Sequence, residues 1–199
     1  MGRFFGLIPA AGRSRRMGQH KLLLPWKDGR VIDAVISAWT DSDVQESVFV
    51  VRNDDVELQQ AIAGSELRTC VLERETADMK ETIQHGLALI KELWNPDSDD
   101  ACLIAPADLP KFSSQLLNQV ANAVDQQKKI VVPYFGGKSG HPVAFPWLAT
   151  DAIFHLAPDQ GIDALLQNSD LYCLELPASD RVRDIDTPEE YERERNLQS

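Results

Sequence analysis

Residues 4–26, "FFGLIPAAGRSRRMGQHKLLLPW", join a short apolar run to a basic loop. The run at 4–8 is typical of a strand buried on both faces of a parallel sheet, because its apolar residues stand at consecutive positions. The residues that follow include Gly12, Arg13, Arg15, Arg16 and Lys21. Open α/β sheets bind ligands where such strands end. The pattern therefore predicts a site for a polyanion such as a triphosphate, and a solvated basic loop is the alternative interpretation.

The loop offers two kinds of phosphate-binding group. Its small residues let backbone N–H groups approach phosphate oxygens, and Gly12 can adopt backbone conformations that other residues avoid. Its arginines add charged donors that can bind in a bidentate manner. The patterns G-x-G-x-x-G and G-x-x-x-x-G-K-[ST] are absent from the sequence, so the loop is neither a standard dinucleotide-binding turn nor a P-loop.

The chain as a whole is acidic and has the composition of a globular protein. Its 199 residues are 43% hydrophobic and 26% charged, with a formal net charge of −11. The length predicts a single domain over residues 1–199. The acidity disfavours nucleic acids and anionic membranes as partners. Cys70, Cys102 and Cys173 fit neither a zinc pattern nor a disulfide framework, and no run is long enough to span a bilayer, so a cytoplasmic location is predicted.

Short apolar segments alternate with longer amphipathic ones along the chain. Strands are predicted at 4–8, 47–51, 69–72, 101–105 and 130–133, and helices at 31–39, 56–63, 79–93 and 114–126. Further strands are predicted after the glycine-rich segment within 134–145 and at 170–176. Asp78 is placed to cap the helix at 79–93, and Thr187-Pro188 to begin the last helix. This alternation indicates a three-layer, Rossmann-like α/β fold, a mostly parallel sheet with helices on both faces.

Two further segments carry carboxylates beside predicted strands. Asp108 follows the strand in "CLIAPADLP" (102–110), where a carboxylate can bind Mg²⁺ together with substrate phosphates. Asp184 and Asp186 precede the last helix in "RDIDTPEEY" (183–191). A turn or a helix cap is the alternative role for each of them.

The segment 9–26 resembles the corresponding segment of molybdenum cofactor cytidylyltransferases, which are MobA-like nucleotidyltransferases. That family reads A-A-G-x-S-x-R-M-G-x-x-K-x-x-L-P. The matching residues are Ala10, Ala11, Gly12, Ser14, Arg16, Met17, Gly18, Lys21, Leu24 and Pro25. The resemblance continues in order from Phe5 to Tyr191. It implies a GT-A-like fold, as in nucleotide-diphospho-sugar transferases, and Mg²⁺ as the cofactor.

The resemblance also implies a role for each matching segment. Nucleotide binding is assigned to Ala10, Ala11, Gly12, Arg13, Ser14, Arg16, Lys21 and Met79. Catalysis is assigned to Arg16, Lys21 and Asp108, and metal binding to Asp108 and Asp186. Asp186 is chosen over Asp184 by analogy with the family segment D-I-D-T-P-E-D-Y. "GGKSGHPVAF" (136–145) is similar to G-x-x-G-H-P-x-x-F and places Gly140, His141 and Pro142 on the acceptor side.

The implied reaction is transfer of a nucleoside monophosphate to a phosphorylated acceptor, with release of pyrophosphate. Ala10-Ala11 resembles the cytidine-using branch, and Pro9 resembles the cytidylyltransferases of isoprenoid synthesis, so CTP is the expected nucleotide. Molybdopterin is the expected acceptor, and an apo-molybdoenzyme would then be a partner that receives the product.

Two alternatives remain for the function. The first is a nucleotidyltransferase that acts on a sugar or alditol phosphate. The second is a protein that binds a nucleotide or cofactor without turnover. The second is motivated by departures from the family pattern at Asp78, Lys80, Glu81 and Asp163.

Overall fold

The computed structural model describes residues 2–167 and 169–197. Met1, Asn168, Gln198 and Ser199, which the single-domain prediction includes, lie outside the described residues. The strands are β1 (Phe4–Pro9), β2 (Pro25–Trp26), β3 (Gly29–Arg30), β4 (Glu46–Arg52), β5 (Arg68–Leu72), β6 (Ala101–Ile104), β7 (Ile130–Phe135), β8 (Lys138–Ser139), β9 (Val143–Pro146) and β10 (Leu171–Leu176). The α-helices are α1 (Val31–Thr40), α2 (Val56–Ala63), α3 (Met79–Trp94), α4 (Ser114–Gln127), α5 (Asp151–Phe154), α6 (Ile162–Gln167) and α7 (Pro188–Asn196).

One mostly parallel sheet organises the molecule. Its strand order in the described part of the chain is β10-β7-β9-β6-β1-β4-β5, and β8 pairs with β7. β1 pairs in parallel with β4 on one side and with β6 on the other, and β5 and β10 also pair in parallel with their neighbours. β9 runs antiparallel to β6 and β7. The predicted Rossmann-like sheet is confirmed, with β9 as an antiparallel insertion.

Helices cover both faces of the sheet. Side chains alternate along β1: Phe4 and Ile8 belong to a core with α1, α2 and α4, whereas Phe5 and Leu7 belong to a core with α3 and α5. Each of these four side chains is at most 2% exposed. This double burial is the reason that apolar residues stand at consecutive positions in the strand.

Helix α3 lies very close to the sheet at Gly86. A Cβ atom at this position would lie 2.1 Å from Leu7 Cδ1 and 2.8 Å from Val50 Cγ2. Both neighbours are fully buried, so they have little room to move. Glycine is therefore required here for the packing of α3 on β1 and β4.

Gly86→Ala is expected to lower the free energy of unfolding by about 1–3 kcal/mol, as other substitutions that overpack a core do. Denaturant unfolding would measure the loss. Gly64→Ala is the matched control, because nothing lies within 4 Å of a Cβ there and the residue ends α2 in a right-handed conformation. An equal effect of the two substitutions would contradict the close-packing argument.

Several connections differ from the sequence prediction. The helices α5 and α6 and the β2–β3 hairpin were not predicted, and they lie in short, polar or partly exposed segments. No helix within residues 2–167 and 169–197 is long and apolar enough to cross a membrane.

Candidate active site

A cleft of about 970 Å³ opens at the carboxyl ends of β1 and β6. The end of β1 and the loop after it contribute residues 9, 10, 12–16 and 21, and the loop after β6 contributes residues 106–109. The opposite parts of the lining come from residues 139–141 and 158–163, and from Arg181, Val182, Asp184 and Asp186. Parallel strands that end side by side thus bring distant segments of the chain to one edge of the sheet, where α/β proteins bind ligands.

Lys21 connects the two predicted metal-binding carboxylates. Its Nζ donates to Asp108 Oδ2 at 2.5 Å and to Asp186 Oδ1 at 2.7 Å. Arg16 Nη2 donates to the second oxygen of Asp186 at 2.6 Å. The Lys21, Asp108 and Asp186 side chains are between 14% and 23% exposed, whereas Arg16 is 73% exposed. The structure therefore brings together all the residues predicted to be catalytic or metal-binding.

Backbone hydrogen bonds hold the two aspartates beside each other. Ala107 N donates to Pro9 O at 3.2 Å, which continues the pairing of β1 and β6 beyond the strands. Ile185 N donates to Asp108 O, also at 3.2 Å. Since Ile185 is fully buried, this link fixes Asp186 next to Asp108. Asp184 also lines the cleft, but Asp186 is the residue that shares Lys21 with Asp108.

The surroundings of Lys21 and Asp186 favour the charged forms of these two side chains. Partial burial opposes ionisation of Lys21, but the charges and hydrogen bonds of Asp108 and Asp186 outweigh this and raise the pKa of the ammonium group. Burial likewise opposes ionisation of Asp186, but Lys21 and Arg16 lower the pKa of its carboxyl group. Lys21 is therefore a cation and Asp186 an anion at neutral pH.

The carboxylates suit a hard cation that keeps much of its water. Asp108 Oδ1 is buried and has no hydrogen-bond partner among residues 2–167 and 169–197. No group of three or more His, Cys, Asp and Glu residues in this part of the chain has the geometry of a metal site. Mg²⁺ commonly binds through one or two carboxylates, with waters and substrate phosphates completing its coordination. Asp108 and Asp186 fit that donor set.

The loop after β1 changes direction at residues with left-handed backbone conformations. The left-handed residues in this loop are Ser14, with a φ of +47°, and Gly18, with a φ of +67°. Gly12 has no positive φ, so the backbone conformation of this structure does not itself require glycine at this position. A Cβ at Gly12 would meet nothing within 4 Å, and an open backbone at this position is accessible to a ligand. Ser14 Oγ accepts from Lys21 N at 3.4 Å, which connects the two ends of the basic segment.

Arg52, at the end of β4, is a site residue that the sequence analysis missed. Its Nη1 donates to Ala11 O at 3.1 Å and to Gly12 O at 2.9 Å. It also bonds Asp54 and Asp55. Arg52 is the last residue of a strand, and position at a strand end was also the sequence signal that identified Asp108 as a candidate site residue. Arg52 holds the carbonyl groups of the loop, and this restricts the orientation of the neighbouring peptides.

Arg13 is engaged by acidic partners on the surface. Its side chain donates to Glu75 Oε1 at 2.8 Å and to Asp54 Oδ2 at 3.0 Å. Its predicted role in nucleotide binding therefore requires these exposed ion pairs to open, at a small cost. Arg15 is exposed and also lines the cleft.

The start of α3 lies between the cleft and a second, smaller hollow of about 350 Å³. Met79 lines both spaces and is 52% exposed. The predicted cap is confirmed, because the Asp78 side chain accepts from Glu81 N at 2.8 Å. Glu81 itself accepts from Ala77 N and forms an ion pair with Arg74. Asp78 and Glu81, two departures from the family pattern, therefore stabilise the beginning of this helix.

The predicted acceptor-side residues form another part of the lining. Gly140 N donates to Pro133 O at 2.9 Å, and a Cβ at Gly140 would lie 2.6 Å from the Phe135 ring. His141 is exposed and lines the cleft, and neighbouring protein atoms replace part of its hydration shell. This desolvation lowers the pKa of its imidazole, against the opposing charges of nearby carboxylates, so His141 is neutral at pH 7. Pro142, joined to His141 by a cis peptide bond, is buried.

This combination of a Rossmann-like sheet, a basic loop after the first strand and two carboxylates facing it defines a nucleotidyltransferase. Residues 6–173 match the family described as MobA-like NTP transferase domain, and the chain belongs to that family.

Similar proteins include one from Bacillus subtilis strain 168 named purine catabolism protein PucB. It is 27% identical over 202 residues, which cover 98% of this chain and 97% of that protein. The molybdenum cofactor cytidylyltransferase of Escherichia coli K12 is 27% identical over 194 residues, covering 93% of this chain and 92% of the relative. The crystal structure of Rv0371c from Mycobacterium tuberculosis H37Rv superposes with a TM-score of 0.80 at 20% identity and covers 99% of both chains. That similarity shows a shared fold.

Proposed function

We propose that this protein is a Mg²⁺-dependent cytidylyltransferase that transfers CMP from CTP to molybdopterin and releases pyrophosphate. The observation that carries the proposal is the placement of Lys21 between Asp108 and Asp186 at the end of β1. Arg16, Asp186, Lys21 and Asp108 form a row of alternating charge, with Arg16 at the outer end. Such a row can bind a polyanion through its cations and a divalent cation through its carboxylates.

The proposed reaction requires the protein to position the two substrates and to neutralise the charge of their phosphates. A phosphate oxygen of the acceptor forms a bond with the α-phosphorus of CTP as the bond to the leaving pyrophosphate breaks. Arg16 and Lys21 bind the triphosphate and stabilise the charge that develops on the leaving group. Asp108 and Asp186 would hold Mg²⁺, which supplies further charge neutralisation at the phosphates. Backbone N–H groups near Gly12 add donors at the open side of the loop.

The choice of CTP and molybdopterin is supported by the sequence and by one relative. Ala10-Ala11 is the pair expected in cytidine-using members, and the Escherichia coli relative is named for cytidylyl transfer to molybdenum cofactor. The departures at Asp78 and Glu81 stabilise the start of α3, so they do not require loss of catalysis. Delivery of the product to an apo-molybdoenzyme follows from the same proposal.

A pyrophosphate-release assay tests this function directly. CTP, GTP, ATP and UTP would each be supplied with and without molybdopterin, in the presence and absence of Mg²⁺. Release is expected only when Mg²⁺ and molybdopterin are both present, and fastest with CTP. Preference for another nucleotide would contradict the CTP assignment, and turnover with sugar or alditol phosphates alone would contradict the acceptor. Tight nucleotide binding without release for any pair would favour a binding protein.

A further inference from the structure

Lys80 is a buried cation whose side-chain hydrogen bonds, within the described part of the chain, all go to one loop of the cleft. Its side chain is 9% exposed, and its Nζ donates to Ala157 O at 2.7 Å, to Gln160 O at 2.9 Å and to Pro158 O at 3.1 Å. An ammonium group has three donors, so these carbonyl groups satisfy it completely. The carboxylate of Asp78 lies 3.8 Å away and adds a favourable charge.

This arrangement is costly unless its partners are held in place. A buried charge is tolerated only when it is well paired, and three convergent carbonyl groups provide the pairing here. The hydrogen bonds therefore have two effects. The loop stabilises the ammonium group, and Lys80 fixes the conformation of the loop. α3, from which Lys80 projects, is itself anchored to the sheet by Ile83 and Leu87, which are at most 3% exposed.

The loop held by Lys80 continues into a part of the cleft lining that is only partly buried, where Ile162, Leu165 and Leu166 pack against the same core as α3. We call residues 157–167, the loop and α6, the acceptor wall. Residues 158–163 of this wall line the cleft, and Asp163 is close enough to His141 to affect its pKa. α6 contains no fully buried residue. Within the loop, Gln160 N donates to Ala157 O and Gln160 Oε1 accepts from Ala157 N, and these bonds do not reach the rest of the protein.

We infer that Lys80 is a positioning residue that fixes the acceptor wall relative to the nucleotide-binding side of the cleft. Lys80 directly follows Met79, which lies at the nucleotide-binding side of the cleft. The first turn of α3 therefore connects the nucleotide-binding side to the acceptor wall. The assignment of the wall to the acceptor rests on the proposed function. This gives a role to Lys80, a residue at which the chain departs from the family pattern.

Hydrogen exchange measured by mass spectrometry tests the positioning without any assay of activity. In Lys80→Met, backbone amides of the acceptor wall are expected to exchange at least about tenfold faster, because the wall loses the three hydrogen bonds that Lys80 donates to it from α3. Amides of β1 and β6 are expected to be unchanged. Lys91→Met is the matched control, since Lys91 is an exposed lysine of the same helix. Unchanged exchange of the wall in Lys80→Met would overturn the inference.

Steady-state kinetics tests the consequence for the reaction. Lys80→Met is expected to raise the KM for molybdopterin about tenfold, in line with the cost of misplacing a binding group, and to leave the KM for CTP within about twofold. Equal increases in both KM values would indicate general destabilisation and contradict a specific positioning role. Lys80→Arg keeps the charge and is expected to give a smaller change in the same direction, which preserves the test if Lys80→Met does not fold. Wild-type protein without transfer activity would overturn the proposed function, while hydrogen exchange would still decide whether Lys80 holds the wall.

Discussion

Lys21→Met is expected to lower kcat for pyrophosphate release by about 10²–10³-fold, the loss that follows removal of one preorganised charge-stabilising group. The reason lies in the position of the ammonium group, which contacts both Asp108 and Asp186. Among the basic residues after β1, this ammonium group is best placed to contact the triphosphate throughout the reaction. Methionine retains most of the aliphatic side chain and removes the charge.

A structural effect of this substitution can be separated from a catalytic one. Without Lys21, two carboxylates would face each other at short range, and like charges repel. The thermal midpoint of Lys21→Met is therefore expected to rise with added Mg²⁺ more than that of the wild type. Lys27→Met is the matched control, because Lys27 is exposed in the turn between β2 and β3. A folded Lys21→Met protein with near-normal turnover would contradict the proposed role.

The regular elements are predictable from local sequence because their signals are local. Consecutive apolar residues identify β1, β4, β6 and β7, since each of these strands is covered by helices on both faces. The start of α7 is predictable because Thr187 and Glu190 form a capping box and Pro188, between them, occupies the first helical position.

Other features depend on contacts between distant parts of the chain. The antiparallel direction of β9 depends on its insertion between β6 and β7, and nothing in its four residues specifies that. The contact between Asp108 and Asp186 depends on the hydrogen bond from Ile185 N to Asp108 O. Residue chemistry at strand ends could indicate each carboxylate separately, and only the resemblance to the family indicated the pair.

The roles of single basic residues were the least predictable part of the site. The cluster after β1 reads as uniformly positive in the sequence, but the structure divides it. Arg16 and Lys21 contact the carboxylates in the cleft, whereas Arg13 contacts Asp54 and Glu75 on the surface. Sequence spacing within an irregular loop carries no information on where each side chain points, and the partners come from other strands and helices.

Asp108→Asn and Asp186→Asn are each expected to lower kcat by about 10²–10³-fold and to raise the Mg²⁺ concentration needed for half-maximal rate. Asparagine is nearly isosteric with aspartate, so the change removes charge and leaves the volume of the side chain. Asp184→Asn is the matched control: it changes an exposed carboxylate two residues from Asp186, and the expected loss is about threefold or less. A larger loss in Asp184→Asn than in Asp186→Asn would reverse the assignment of the second metal ligand.

The double variant distinguishes a shared role from two separate ones. If Asp108 and Asp186 hold one cation together, removal of either already abolishes most of that binding, and the double substitution is expected to cost little more than the larger single loss. Independent roles predict losses that multiply. Mn²⁺ binding measured by electron paramagnetic resonance gives a second readout that needs no acceptor. Mn²⁺ affinity that is unchanged in both single variants would exclude these carboxylates as the metal ligands, whatever the kinetics show.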